Sequence, residues 1–245
     1  MRIAVIAVVF ATACAHGPGF EPKPLPELVA TGSPLGPLDT KNYVLDGGES
    51  FAWNVQFQGL SIGRAEIAVG DQEVRSRFET NSLASSFARV KYELVSVIDR
   101  DAHRPIGANE VAELDGEATT MNATFDGRSY AIGEPPVSHS VPDGNVHTLQ
   151  SALGVIRGWA QPQARGGVLH VLVAGRIYKL VLSRPIPEDL YSSPAVKVSG
   201  RVAPLEGSGP AISFAMWVTN TAARTPLRIE VNGDGKTVTA ELIDS

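Results

Sequence analysis

Phe51-Ala-Trp53-Asn-Val55-Gln-Phe57-Gln58 sets an apolar side chain on every second residue from Phe51 to Phe57. A helix would scatter those side chains around its axis, whereas a strand collects them on one face and leaves Asn54, Gln56 and Gln58 on the other. The stretch reads as a strand with one dry face and one wet face. The pattern returns downstream in Tyr92-Glu-Leu-Val-Ser-Val-Ile98, Leu169-His-Val-Leu-Val173, Ile177-Tyr-Lys-Leu-Val-Leu182, Ala195-Val-Lys-Val-Ser-Gly-Arg-Val202, Leu227-Arg-Ile-Glu-Val231 and Val238-Thr-Ala-Glu-Leu242. These runs are rich in β-branched residues and short enough to be strands.

The breaks between the runs favour antiparallel neighbours. Asp115-Gly116 and Asp126-Gly127 are two-residue hairpin signals, and Asn232-Gly-Asp-Gly235 joins the last two runs with residues that tolerate positive φ. Residues 110–132 therefore read as a meander. One segment follows a different period: from Val146 to Trp159, Leu149, Leu153, Ile156 and Trp159 fall three or four residues apart. That spacing predicts a helix, with Asn145 or Asp143 as N-cap and Arg157 in the last turn, where a cation suits the helix dipole. A shorter helical turn fits near residues 82–88. The fold class expected is mainly β, a curved antiparallel sheet or barrel-like domain, with one central helix over about residues 145–159 set against or inside the sheet.

Ahead of the sheet, Arg2 and the apolar run Ile3–Phe10 lead through Ala11-Thr12-Ala13 to Cys14, the single cysteine of the chain. The run is shorter than the roughly 20 residues that cross a bilayer, and its charged start and small-residue end suit a cleaved export signal. Residues 1–13 are expected to be a signal peptide and Cys14 a lipid-attachment site, as in bacterial lipoproteins, giving a membrane partner at the N-terminus. Ala11-Thr12-Ala13 equally suits ordinary signal peptidase, which would release a soluble periplasmic protein. Ala15, and not Asp, follows Cys14, which favours the outer membrane over the inner. Residues 14–45 are rich in Pro and Gly and read as a tether, whose Ala15–Asn42 stretch spans up to roughly 85 Å if extended as polyproline II. Residues 46–245 are then a single domain of about 200 residues. With its cysteine at the anchor, that domain has no internal disulfide to hold it. Loss of residues 1–13 takes Arg2 from the 21 basic residues and none of the 26 acidic ones, leaving a formal charge of −6. That balance argues against nucleic acid as a partner.

Several motifs invite chemistry. Gly59-Leu-Ser61-Ile-Gly63 spells the G-x-S-x-G nucleophile elbow, but the elbow needs a helix after the serine. Here Arg64-Ala-Glu-Ile-Ala-Val69 alternates like a strand, so Ser61 is expected in a strand-to-strand turn and no catalytic residue is assigned. The five histidines, His16, His103, His139, His147 and His170, lack metal-ligand spacing, and Asn232-Gly-Asp-Gly235 lacks the later glutamate of a calcium loop. No metal or other cofactor is expected. Trp53, Tyr92, Trp159 and Trp217 either line an apolar cavity or fill the core. Arg157 either pairs with a carboxylate of the sheet or points into that cavity as an anion clamp.

The opening Gly48-Glu49-Ser-Phe51-x-Trp53-x-Val55-x-Phe57-x-Gly59-Leu-x-Ile-Gly63-x-Ala65, the Leu149–Arg157 helix and the closing Trp217-Val-Thr-Asn220-x-x-x-Arg224-x-Pro226-Leu-Arg228-Ile-Glu230 resemble, in order and spacing, the bacterial family called domain of unknown function 3108. The resemblance runs from about Gly47 to Leu242. It implies an exported envelope protein with a twisted or barrel-like antiparallel sheet, and it brings no established chemistry. At His147 and Asn220 this chain departs from that pattern, which carries acids there. The function expected is that of a non-enzymatic envelope lipoprotein. It would bind an apolar or amphipathic ligand such as a lipid or glycolipid, or dock another envelope protein. A hydrolase of envelope glycans or lipids and a purely structural partner are the alternatives.

Overall fold

The computed structural model of the protein describes residues 35–206 and 212–245. The alternating stretch is the first strand, β1 (Ser50–Phe57), followed by β2 (Leu60–Val69) and β3 (Glu73–Thr80). A single helical turn, α1 (Ser82–Ser85), leads into a meander of β4 (Val90–Asp99), β5 (Arg104–Leu114), β6 (Glu117–Asp126), β7 (Ser129–Ile132) and β8 (Val137–Ser140). A two-residue strand, β9 (Val146–His147), precedes the helix α2 (Leu149–Trp159). The second half continues through β10 (Gly167–Val173), β11 (Arg176–Leu182), β12 (Ile186–Leu190), β13 (Ser193–Pro204), β14 (Ile212–Thr219), β15 (Pro226–Gly233) and β16 (Lys236–Asp244).

All strands belong to one sheet, which is antiparallel except at β9. It runs β8-β7-β6-β5-β4-β3-β2-β1-β16-β15-β14-β13-β11-β10-β9, with β12 pairing to β13 off this path. Each half is a meander, and the halves meet where β1 pairs with β16, Val55 opposite Ala240. The period-2 rule is clearest in β4, where Val90, Tyr92, Leu94, Ser96 and Ile98 are buried and the residues between them are not. The sheet does not close by a ladder, but its ends come together. The β10–β11 turn reaches across the barrel, where the Ala174 N–H donates to Glu110 Oε2 (3.1 Å) and Gly175 lies against Met121 and Ile132. Val146 N–H donates to Gly127 O (3.0 Å), so β9 links β10 to the β6–β7 turn.

Inside this curl lies α2, with ten of its 11 residues buried and Leu149 exposed. The expected stripe is real, but the helix is enclosed on all sides because sheet covers one flank and an N-terminal strap covers the other. The helix begins three residues later than its periodicity suggests. Val146 and His147 are drawn into the parallel pairing with β10, so Thr148, and not Asn145 or Asp143, is the N-cap. Its side chain and that of Ser151 form a reciprocal capping box.

The strap corrects the expected tether. Residues 14–34 lie outside the described residues, but residues 36–45 pack as part of the domain. Val168 N–H donates to Gly36 O (3.0 Å) and Leu38 N–H to Val168 O (2.9 Å), covering the free edge of β10. Val44 N–H then donates to Gly154 O (3.0 Å), Tyr43 stacks on His103 with centroids 5.3 Å apart, and Leu45 is 2% exposed. Gly154 and Gly158 make the crossing possible: a Cβ at Gly158 would lie 1.2 Å from the Asn42 carbonyl oxygen.

The hairpin signals hold with one shift. Asp115-Gly116 and Asp234-Gly235 are two-residue turns with both residues at positive φ. The β6–β7 turn is Gly127-Arg128, one residue later than expected, because Asp126 pairs with Ser129. Ser61 sits within β2, and the turn before it is Gln58-Gly59.

Candidate functional site

The polar groups that this fold buries gather at the two ends of α2. At the N-terminal end, Gln150 enters the sheet. Its Nε2 donates to Leu94 O (2.7 Å), Ser76 Oγ (3.0 Å) and Val74 O (3.2 Å), while its Oε1 accepts from Ser96 Oγ (2.5 Å). Beside it, His147 is fully buried, with Nδ1 3.2 Å from Ser151 Oγ. Its Nε2 has no partner among the described residues. Burial, helped by the neighbouring His170, pulls the His147 pKa down to about 4, so the ring is neutral at pH 7.

A cavity of about 220 Å³ opens here, at the seam where β9 and the strap share the edge of β10. It is lined by Pro37, Leu38, Thr40, Asn145, His147 and Leu169, among others. The serine–histidine contact is part of the helix cap. Ser151 Oγ accepts the Thr148 N–H (2.9 Å) and so serves the helix cap. Among the described residues no carboxylate hydrogen-bonds the imidazole. No group of three or more His, Cys, Asp or Glu side chains suited to a metal occurs among the described residues.

At the other end of α2, Arg157 is fully buried and makes four hydrogen bonds with its five N–H donors. Nη1 and Nη2 grip Glu49 at 2.9 and 2.8 Å, Nε donates to Arg224 O (3.0 Å), and Nη2 also donates to Ala223 O (2.6 Å). The guanidinium carbon lies 4.9 Å from the Phe51 ring centroid. Burial alone would raise the Glu49 pKa, but the Arg157 hydrogen bonds and charge hold it below the usual carboxylate value. Of the two roles open to Arg157, pairing with a carboxylate is the one seen. The clamp ties α2 to the start of β1 and to the β14–β15 loop, which is returned by Arg224 Nη1 donating to Ala160 O.

The aromatic residues do not meet around one cavity. Trp53 and Tyr92 share a core cluster with Phe51 and Phe78, and Trp53 Nε1 donates to Pro226 O (3.0 Å). Trp159 belongs to the cluster around α2, its Nε1 donating to Arg165 O (3.0 Å). Trp217 lies on the outside of the sheet, because Met216 and Val218 on either side of it face inward. There it is covered by Leu190 and Ala195, donates to Glu188 Oε1 (2.9 Å), and carries Lys197 and Arg228 at 4.8 and 5.5 Å from its ring centroid. Trp53, Tyr92 and Trp159 thus fill the core inside the curled sheet, and Trp217 a small cluster on its outer face. Tyr92 OH has no partner among the described residues, and burial together with the charge of Glu110 raises its pKa well above 10.

Sequence reasoning did not single out Glu49, Gln150, Glu110 or His147 as buried polar groups. Glu49 had one signal, its place in the Gly48-Glu49-Ser-Phe51 opening. Gln150 and Glu110 sit where alternation and helical period predict nothing special, since their partners are distant in sequence.

No protein-family model matches the chain, and no curated protein does. A solved structure does: the crystal structure of a beta-barrel-like protein of domain of unknown function DUF1849 from Brucella abortus. It matches with a TM-score of 0.55 and 10% sequence identity, over 82% of this chain and 98% of that one. At that identity the likeness is one of fold: this chain has the architecture of a beta-barrel-like domain of unknown function.

Proposed function

We propose that this chain is a non-enzymatic, exported domain of the bacterial cell envelope, tethered to a membrane through lipid on Cys14, that docks envelope components on its outer surface. The observation that carries this reading is the occupied interior. A carrier of lipid or glycolipid would hold its ligand where the curved sheet surrounds α2, and ten of the 11 residues of that helix are buried there. Ser151 Oγ is held in the α2 cap, where it accepts the Thr148 N–H, and this supports a structural role for the His147–Ser151 contact. Support for the compartment comes from Arg2, the apolar run Ile3–Phe10, Ala11-Thr12-Ala13 and Cys14, and from the resemblance to domain of unknown function 3108. Cysteine lipidation adds more than one acyl chain, which stable anchoring needs.

Native mass spectrometry of the protein purified from its own envelope, followed by lipid extraction, tests both parts. The expected spectrum shows covalent acyl mass on the N-terminal peptide and no stoichiometric free lipid. A lipid copurifying one to one without covalent attachment would overturn docking in favour of carriage. An unmodified Cys14 would make the protein a soluble product.

A further inference from the structure

Phe87 is 87% exposed, Leu60 66% and Leu83 62%. The three side chains belong to one knob. α1 and the residues after it sit beside the start of β2, tied there by Asn81 Nδ2 donating to Ser61 O (2.8 Å) and Asn81 N–H to Ile62 O (2.9 Å). From Asn81 to Ala88 the sequence Asn-Ser-Leu-Ala-Ser-Ser-Phe-Ala carries no charge. The knob also closes its own polar groups. Asn81 Oδ1 accepts the Ala84 N–H (2.9 Å), Ser86 Oγ donates to Leu83 O (2.6 Å), Thr80 and Ser85 hydroxyls meet at 2.9 Å, and the Phe87 and Ala88 N–H groups donate to Ala84 O. Pairing these groups within the protein lowers the cost of moving the segment out of water.

We infer that this knob inserts into the surface of a lipid bilayer, with Phe87, Leu83 and Leu60 among the acyl chains; the inference rests on the membrane tether proposed above. Three side chains present far less than the roughly 800 Å² per partner that a stable protein complex buries. They suffice as a second, weak membrane contact added to a lipid anchor. The tether allows it. From Cys14 to Leu35 the chain advances 21 residues, a reach of roughly 65 Å at about 3.1 Å per residue. Strands of 8 to 11 residues are about 27–36 Å long, so either end of the domain can face the anchoring membrane. Arg89 and Lys91, just past the knob, are matched by two acids, Asp115, bound to the Arg89 N–H, and Glu113, directly opposite Lys91 in β5. Insertion is therefore driven by apolar area and insensitive to salt.

The test uses the full mature protein in phosphatidylethanolamine–phosphatidylglycerol vesicles containing a small share of phosphatidylcholine with a diazirine in its acyl chain. After irradiation, trypsin releases Phe78–Arg89 as one peptide. Adducts are expected on that peptide, at equal yield in low and high salt, falling about tenfold or more in the Leu83→Ser/Phe87→Ser double variant. Both side chains are exposed, so the variant keeps the fold. Adducts confined to the N-terminal peptide would overturn the inference and leave the anchor standing. Adducts on Phe78–Arg89 alongside an unmodified Cys14 would do the reverse. Equal labelling in the double variant, or crosslinking of Phe78–Arg89 to a protein in intact envelopes with no lipid adduct, would also overturn it.

Discussion

Replacing Gly158 with alanine separates a docked strap from a loose one by the sign of its effect. In a helix open to solvent at this position, the change gains about 1 kcal/mol from helix propensity. In the structure a Cβ at Gly158 falls 1.2 Å from the Asn42 carbonyl oxygen and 2.2 Å from its carbon, and main chain cannot rotate away as a long side chain would. Forcing atoms into a packed interior costs about 1–3 kcal/mol and occasionally more, and a backbone contact this close belongs at or beyond the top of that range. Set against the propensity gain, the net loss is about 2 kcal/mol or more. In urea, with a slope of about 2 kcal/mol/M for a domain of this size, the unfolding midpoint falls by about 1 M. Tryptophan fluorescence reads it, since Trp159 follows Gly158 in the core. Trypsin offers a local readout at Lys41, which lies in the strap one residue before Asn42: cleavage there should accelerate in the variant. A midpoint that stays or rises would refute the packing of residues 42–45 on α2.

The Arg157–Glu49 clamp should be asymmetric: Glu49→Gln leaves a fully buried guanidinium without its counter-charge and costs about 3–5 kcal/mol, more than Arg157→Met, and the double variant recovers part of the loss in a double-mutant cycle by urea unfolding. Because Glu49 is depressed in the folded state, its contribution is present above about pH 4.5 and fades as the pH falls through the folded value. His147, at about pKa 4 folded against about 6.5 unfolded, makes the unfolded chain bind more protons between those values, so stability falls as the pH drops from 6.5 toward 4. Urea midpoints against pH should show that slope flattened, though not abolished, in His147→Gln, with the remainder from His170, which is lowered in the same direction. Ser61→Ala should change stability by less than about 0.5 kcal/mol, and a fluorophosphonate should leave Ser61 unlabelled, because its hydroxyl is an exposed strand contact to Asn54 Oδ1 (2.6 Å).

What could be read from the chain was whatever is written in local period and turn chemistry. Phe51–Phe57 alternates because one face of β1 is buried, and Asp115-Gly116 is visible because those residues accept positive φ. Tyr191-Ser192 makes the same kind of turn with residues that give no such signal. The strap was illegible for another reason. Pro37 and Leu38 look like linker by composition, and their partner Val168 is 130 residues away. Non-local pairing also displaced the start of α2, since only the neighbouring β10 makes Val146-His147 extended. Of the candidate site residues, burial was predictable for Trp53, Tyr92 and Trp159. The outward placement of Trp217 was not, because β12 covers it and both faces of its strand are dry.

The pairing of β1 with β16 has a consequence for the order of events in making this protein. The first strand to be synthesised finds its neighbour on one side at once, in β2, but its neighbour on the other side comes last in the sheet. Until β16 arrives, β1 presents a bare edge, and the two meanders are joined by the helix between them and by the contacts that β9 and the β10–β11 turn make with the first meander. Such distant contacts repay their loop-closure entropy only at the end of folding. The sheet is therefore complete only once its last strand is in place.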